Sequence, residues 1–180
     1  MSLPLSAAAI KPLILHPSHM AALTPETFHD ASTGGNVSWK TLMSNDRTAT
    51  NTFTVGIASC PPGRMAACPA CPPSPTSLAS PPSPPSPSSP SLTSTGHLKP
   101  HRHSHAEIYH VTAGRGIVSI DGVEHAVQKG SVVFIPGDAE HGIRNGEADE
   151  DLVWLYVFAA DGFGEIVYRF SGEEGVRAKL

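Results

Sequence analysis

The sequence predicts an all-β domain, built as a sandwich or barrel of short antiparallel strands. Three observations predict it. Between residues 97 and 160, short runs rich in β-branched and aromatic residues recur at near-even spacing. Turn residues separate them, and no helical pattern intervenes. The length of 180 residues, 39% hydrophobic and 16% charged, suits one domain of ordinary size.

Residues 1–35 form an irregular N-terminal segment, interrupted by Pro4, Pro12, Pro17 and Pro25. Pro25–Asp30 is expected to make one short helical turn, and the segment to wrap the barrel without a core of its own. Barrel strands begin at residue 36. Val37–Leu42 alternates partly. Thr52–Ala58 puts Phe53, Val55 and Ile57 on one face, a half-buried strand pattern.

The chain then changes character. Twelve of its 18 prolines fall between residues 61 and 96. Such a tract cannot bury enough apolar surface to offset the entropy of ordering it, so residues 64–96 are expected to be a disordered, Pro/Ser-rich insertion. A surface loop tolerates such an insertion because closure entropy grows slowly with length. A docking segment for a proline-binding module is a second reading. A third is translated intron sequence, since removing 64–96 joins Pro61-Pro62-Gly63 to His97-Leu98-Lys99-Pro100 in a compact turn.

The barrel resumes over residues 97–170. Strands are expected at Ile108–Thr112, Gly116–Ile120, Val123–Val127, Ser131–Ile135, Gly142–Arg144 and Leu152–Phe158. Asp121-Gly122 between two of them is a strong two-residue hairpin signal. A strand or short helix around Glu165–Phe170 closes the domain.

Charge and hydropathy exclude several classes. Twelve Lys/Arg against 16 Asp/Glu give a net charge of −4, with no basic block for nucleic acid. The longest apolar stretch, Leu152–Ala160, is far short of the ~20 residues of a membrane span. The N-terminus lacks a charged n-region and is broken by prolines, which argues against a signal peptide and for a cytoplasmic protein. The three cysteines, Cys60, Cys68 and Cys71, do not form a disulfide framework. Cys68-x-x-Cys71 has zinc or redox spacing, but between prolines it reads as a solvated loop.

The candidate chemistry lies at residues 101–107. His101 and His103 sit at i and i+2, on one face of an extended strand. Glu107 keeps the same parity, so a continuous strand carries it on that face too. Two imidazoles and a carboxylate make a site for a borderline divalent ion. His141, after a Pro-Gly-Asp turn, is the natural fourth ligand. Tyr109 shares the parity of Glu107; it is either a donor or general acid beside the metal, or an aromatic wall. His105 is expected at the barrel mouth, and His97, His110 and His125 outside. Trp154, Tyr156 and Phe158 alternate along one strand as core or pocket wall, and Glu140 points outward at the rim.

The stretch His101-x-His103-x3-Glu107-x6-Gly114 resembles the first motif of the cupin superfamily. Gly130-x5-Pro136-Gly137-Asp138-x2-His141-x3-Asn145 resembles the second. Two details depart from the pattern: Gly96 lies one residue closer to His101 than usual, and Asp138 replaces a glycine. The resemblance implies a compact, single jelly-roll barrel (a double-stranded β-helix). It also implies one divalent metal, Fe, Mn, Ni or Zn, held by His101, His103, Glu107 and His141. It implies a homodimer as well. The function expected is a metal-dependent enzyme on a small organic molecule, of dioxygenase, isomerase, decarboxylase or cyclase type, with Tyr109 the candidate catalytic residue. The alternative is a non-catalytic binding or sensor domain, which would gain from an attached DNA-binding domain; no helix-turn-helix pattern is visible.

Overall fold

Side chains along the strands alternate between buried and accessible, and this alternation defines the inner faces of two sheets. The structure is a computed structural model that describes residues 10–63, 95–171 and 177–179. Cys68, Cys71 and the Pro/Ser tract at 64–94 lie outside the described residues. The order is α1 (Pro17–Ala22), β1 (Glu26–Thr27), α2 (Ala31–Gly34), β2 (Ser38–Met43), β3 (Thr54–Cys60), β4 (His97–Arg102) and β5 (Glu107–Ala113). There follow β6 (Arg115–Ile120), β7 (Val123–Gln128), β8 (Val132–Ile135), β9 (His141–Asn145) and β10 (Leu152–Phe158). A 3-10 turn (Phe163–Glu165), β11 (Val167–Phe170) and β12 (Arg177–Lys179) complete the described chain.

Two six-stranded antiparallel sheets result, ordered β1-β2-β3-β10-β5-β8 and β12-β11-β4-β9-β6-β7. This is the jelly-roll arrangement, with the core between the sheets. Along β10, Leu152, Trp154, Tyr156 and Phe158 all point inward. Burying each such side chain contributes roughly 1.5–3 kcal/mol, so this strand anchors the core. The Asp121-Gly122 hairpin forms as expected. Ile120 pairs with Val123, and the two central residues take φ values of 46° and 80°. Both are left-handed, as a two-residue turn matching the strand twist requires.

Three expectations are corrected. Phe53, Val55 and Ile57 do share a face, but it is the outer one: Thr54, Gly56, Ala58 and Cys60 are buried, and Phe53 is 53% exposed. The cause is opposite Gly56, where an added Cβ would lie 2.2 Å from the Tyr156 ring. Aromatic side chains of β10 fill the interior, so β3 must present small residues to it. Next, residues 25–30 hold the short strand β1 in place of a helical turn. Glu26 accepts both guanidinium nitrogens of Arg47 at 2.9 Å and the Thr41 N–H at 3.2 Å, which holds the segment extended against β2. Third, no continuous strand links His101 to Glu107. The chain breaks at 103–106, and β4 and β5 belong to different sheets.

The ends of the Pro/Ser tract meet. Gly96 N donates to Pro61 O at 3.0 Å, and a Cβ on Gly63 would lie 3.7 Å from Thr95 Cα. Buried Asn145 ties this base together. Its side chain donates to Cys60 O at 3.0 Å and Glu150 O at 2.8 Å, and its N–H to Gly96 O at 2.9 Å. Replacing residues 64–94 with Gly-Gly is therefore expected to leave the barrel folded. A loop shortened by about four doublings in length should raise stability by up to ~2 kcal/mol. Thermal denaturation checks this; a clearly lower melting temperature would show that the segment contributes to the barrel.

Candidate metal centre

Four polar side chains converge at one end of the core, each delivered by a different stretch of chain. His101 lies in β4, His103 in the turn after it, Glu107 opens β5, and His141 opens β9. Strand register brings them together: His101 pairs with His141, and Glu107 pairs with Phe158 on one side and Ile135 on the other. All four are buried, with at most 2% of their surface accessible. The turn holding His103 lies against the turn before His141. Gly137 allows this approach, since a Cβ there would come 2.3 Å from Ser104 O.

Asp138, which replaces the expected glycine, takes the left-handed conformation itself at φ 61°. Aspartate visits this region more readily than most residues. Here it is held by its N–H to His103 O at 2.8 Å, by Arg102 on its carbonyl at 2.9 Å and by Arg169 on its carboxylate.

The imidazole orientations follow from their backbone bonds. His101 Nδ1 lies 2.8 Å from Lys99 O, His103 Nδ1 2.8 Å from His105 O, and His141 Nδ1 2.9 Å from Ala139 O. A carbonyl only accepts, so each Nδ1 carries a proton and each ring turns its Nε2 inward. The three rings offer donor atoms within 4.8 Å of one another. Glu107 Oε2 sits 3.2 Å from Nε2 of both His103 and His141. Nε2 of His101 and of His141 has no hydrogen-bond partner. Burial, and after it His141, holds the His101 imidazole well below its usual range, and so neutral. Two buried ring nitrogens without a partner are costly. The chemistry of the cluster fits a cation, and the three histidines could hold a metal ion.

Aromatic rings surround the cluster. Tyr168 stacks on His101 at 4.5 Å and 18°, and Phe158 meets His103 edge-on at 5.0 Å. Beside Glu107 lies a narrow cavity of about 20 Å³. Tyr109, Trp154, Tyr156 and Tyr168 line it, with Trp39 and Phe28 from the N-terminal third. Burial, and then the Glu107 carboxylate, holds the phenols of Tyr109 and Tyr168 well above their ordinary range.

The structure brings His101, His103, Glu107 and His141 together and puts Tyr109 beside them. Trp154, Tyr156 and Phe158 are buried, and the first two are also cavity wall. His105 is half-buried and acts through its carbonyl, which orients His103. His110 and His125 are exposed as expected, whereas His97 is half-buried, with Nδ1 2.9 Å from Thr95 O. Glu140 lies at the rim, paired with Arg102 at 3.4 Å. Tyr168, Trp39 and Phe28 were not anticipated. No local spacing marks them, because each reaches the cavity through long-range packing.

Comparison with known proteins agrees with this architecture. The cupin-domain model Cupin_2 matches residues 92–158. Dimethylsulfoniopropionate lyase DddW of Ruegeria pomeroyi is 34% identical over 158 residues, which span 87% of this chain and 82% of that protein. A cupin-2 domain structure from Rhodospirillum rubrum superimposes with a TM-score of 0.56 at 19% identity, covering 91% of this chain and 82% of its own. A predicted oxalate decarboxylase from Thermotoga maritima gives 0.53 at 20% identity, covering 78% and 96%. The two structures share the fold; the cupin-domain match, with a relative 34% identical along most of both chains, shows the family: the chain belongs to the cupin superfamily.

Proposed function

We propose that this chain is a metal-dependent lyase that acts on a small carboxylate, with dimethylsulfoniopropionate or a close analogue as substrate. One observation carries the reading: a buried cluster of three histidines and Glu107, in which Glu107 also lines an aromatic cavity beside the Tyr109 phenol. The name of the 34% identical relative supplies the substrate class. His101, His103, Glu107 and His141 would hold one divalent ion, Fe, Mn, Ni or Zn; imidazole and carboxylate donors do not choose among these. When bound, such an ion neutralises a substrate carboxylate and acidifies the adjacent C–H.

The chain's own residues supply the rest. Tyr109, buried beside Glu107, is the proton-transfer group at its phenolic oxygen. In the free protein it is held protonated, first by burial and then by the negative Glu107. A divalent cation held beside Glu107 would favour the ionised phenol, so that Tyr109 could act as the base. The rings of Trp39, Trp154, Tyr156 and Tyr168 exclude water, and their π faces suit a sulfonium cation. Elimination then balances simply. Once ionised, the Tyr109 phenolate oxygen would take the proton from the carbon next to the carboxylate, that C–H electron pair would form the C=C bond, and the C–S bond would break with its electrons on sulfur, giving acrylate, dimethyl sulfide and the Tyr109 phenol.

Purified protein is expected to carry about one divalent ion per chain by elemental analysis, and His101→Ala and His141→Ala are each expected to lose most of it. Retention of metal by both variants would refute the ligand set. Incubation with dimethylsulfoniopropionate should release dimethyl sulfide and acrylate. Tyr109→Phe should lower kcat by roughly 10²–10⁴ with metal content unchanged. Metal-loaded protein without turnover for each of the four metals would favour a binding role over catalysis.

A further inference from the structure

We infer that Phe28 is the movable wall of the cavity beside Glu107, and that its ring sets the size of the molecule admitted to the buried cluster; this rests on reading that cavity as the substrate site. The observation is a mismatch of size. At about 20 Å³ the cavity has room for roughly one water molecule. A pocket that holds a small organic ligand is larger, on the order of 300 Å³ or more. A sulfonium carboxylate does not fit between the walls as they stand, so one of them moves.

Exposure singles out that wall. Of the eleven residues that line the cavity, ten are buried and Phe28 alone is half-buried. A ligand arriving from solvent meets this ring first. The aromatic walls from the strands belong to the core between the sheets, and Phe28 packs against that core from outside. Its ring meets Trp39 at 5.0 Å, Phe170 at 5.5 Å and Tyr168 at 6.0 Å. Close-packed interiors resist displacement. A ring seated on the core, by contrast, leaves without breaking a strand pair.

The chain around Phe28 is built to move as a unit. It joins β1 to α2, and its hydrogen bonds are mostly internal. Asp30 accepts the Ser32 N–H at 2.8 Å, and Thr33 N donates to Asp30 O at 3.0 Å. Lys99 Nζ on Ser32 O is the one hydrogen bond from the barrel to residues 28–34 among the described residues, and it is exposed. Segments with few ties of this kind open at low cost, well before the fold does. Gly35, which follows α2, takes φ 101°, a conformation that side chains disfavour, and marks a hinge. Gly34 makes the seat for the ring: a Cβ there would lie 2.2 Å from Phe28 Cδ2. Its φ is not left-handed, so glycine is needed at this position by the ring and not by the backbone. An alanine at 34 therefore unseats Phe28 while leaving every wall residue in the chain.

The chain carries its own reporter of this opening. Both of its tryptophans, Trp39 and Trp154, are buried and line the cavity, so fluorescence quenching by acrylamide reads access to it without any turnover. Quenching of the full chain should be weak. Phe28→Ala and Gly34→Ala should each raise the quenching constant several-fold, with circular dichroism and metal content unchanged. Phe53→Ala, at an outer-face position 53% exposed, should leave it as it is. Gly34→Ala keeps the test decisive where Phe28→Ala loosens the core. In turnover, Phe28→Ala should raise kcat/KM for the bulkier diethylsulfonium analogue, relative to dimethylsulfoniopropionate, by roughly tenfold or more. Unchanged quenching in both variants would overturn the inference, and so would an active Phe28→Ala enzyme with unaltered selectivity. Raised quenching in both variants, together with a wild-type protein that releases no dimethyl sulfide, would uphold Phe28 as the movable wall and overturn the lyase reading alone.

Discussion

Three imidazoles whose Nδ1–H groups are committed to backbone carbonyls must turn their Nε2 lone pairs toward one buried point, and Glu107 adds a carboxylate oxygen there. Buried polar atoms left without a partner, as Nε2 of His101 and His141 are, carry a cost that a bound cation would remove. The surrounding barrel holds the groups in that arrangement. β4 and β9 pair at His101 and His141, and β5 sets Glu107 between β10 and β8. Tyr168 and Phe158 lock the rings by stacking and edge contacts. Because three backbone carbonyls fix the histidine tautomers, the donor set is preorganised before any ion arrives.

The residues of the buried cluster were legible in the sequence because motif spacing is local information. The parity argument named residues that the structure brings together, though not by the expected geometry: His103 and Glu107 are separated by a sheet-to-sheet crossing. The stripe Phe53, Val55, Ile57 shows the limit of periodicity. A period of two reveals that two faces differ, but not which one is inside. That choice depends on Tyr156, a hundred residues away in sequence, which fills the space over Gly56. Phe28, Trp39 and Tyr168 were invisible for the same reason. They reach the cavity from strands and loops whose placement depends on the whole barrel.

Two residues of the second motif carry structural duties that the pattern alone does not express. Asp138 adopts a backbone conformation usually left to glycine and offsets its cost with contacts to His103, Arg102 and Arg169. Asn145 binds Cys60 O, before the Pro/Ser tract, and Gly96 O, after it, so the barrel closes across the base of the excursion.

The central claim is that the buried cluster binds one divalent ion through three imidazoles. X-ray absorption spectroscopy of the metal-loaded protein tests it most directly. The account predicts scattering from three imidazole rings and a carboxylate oxygen, with no sulfur bound to the ion. Sulfur scattering, which would point to Cys68 and Cys71, or fewer than two imidazoles would contradict it.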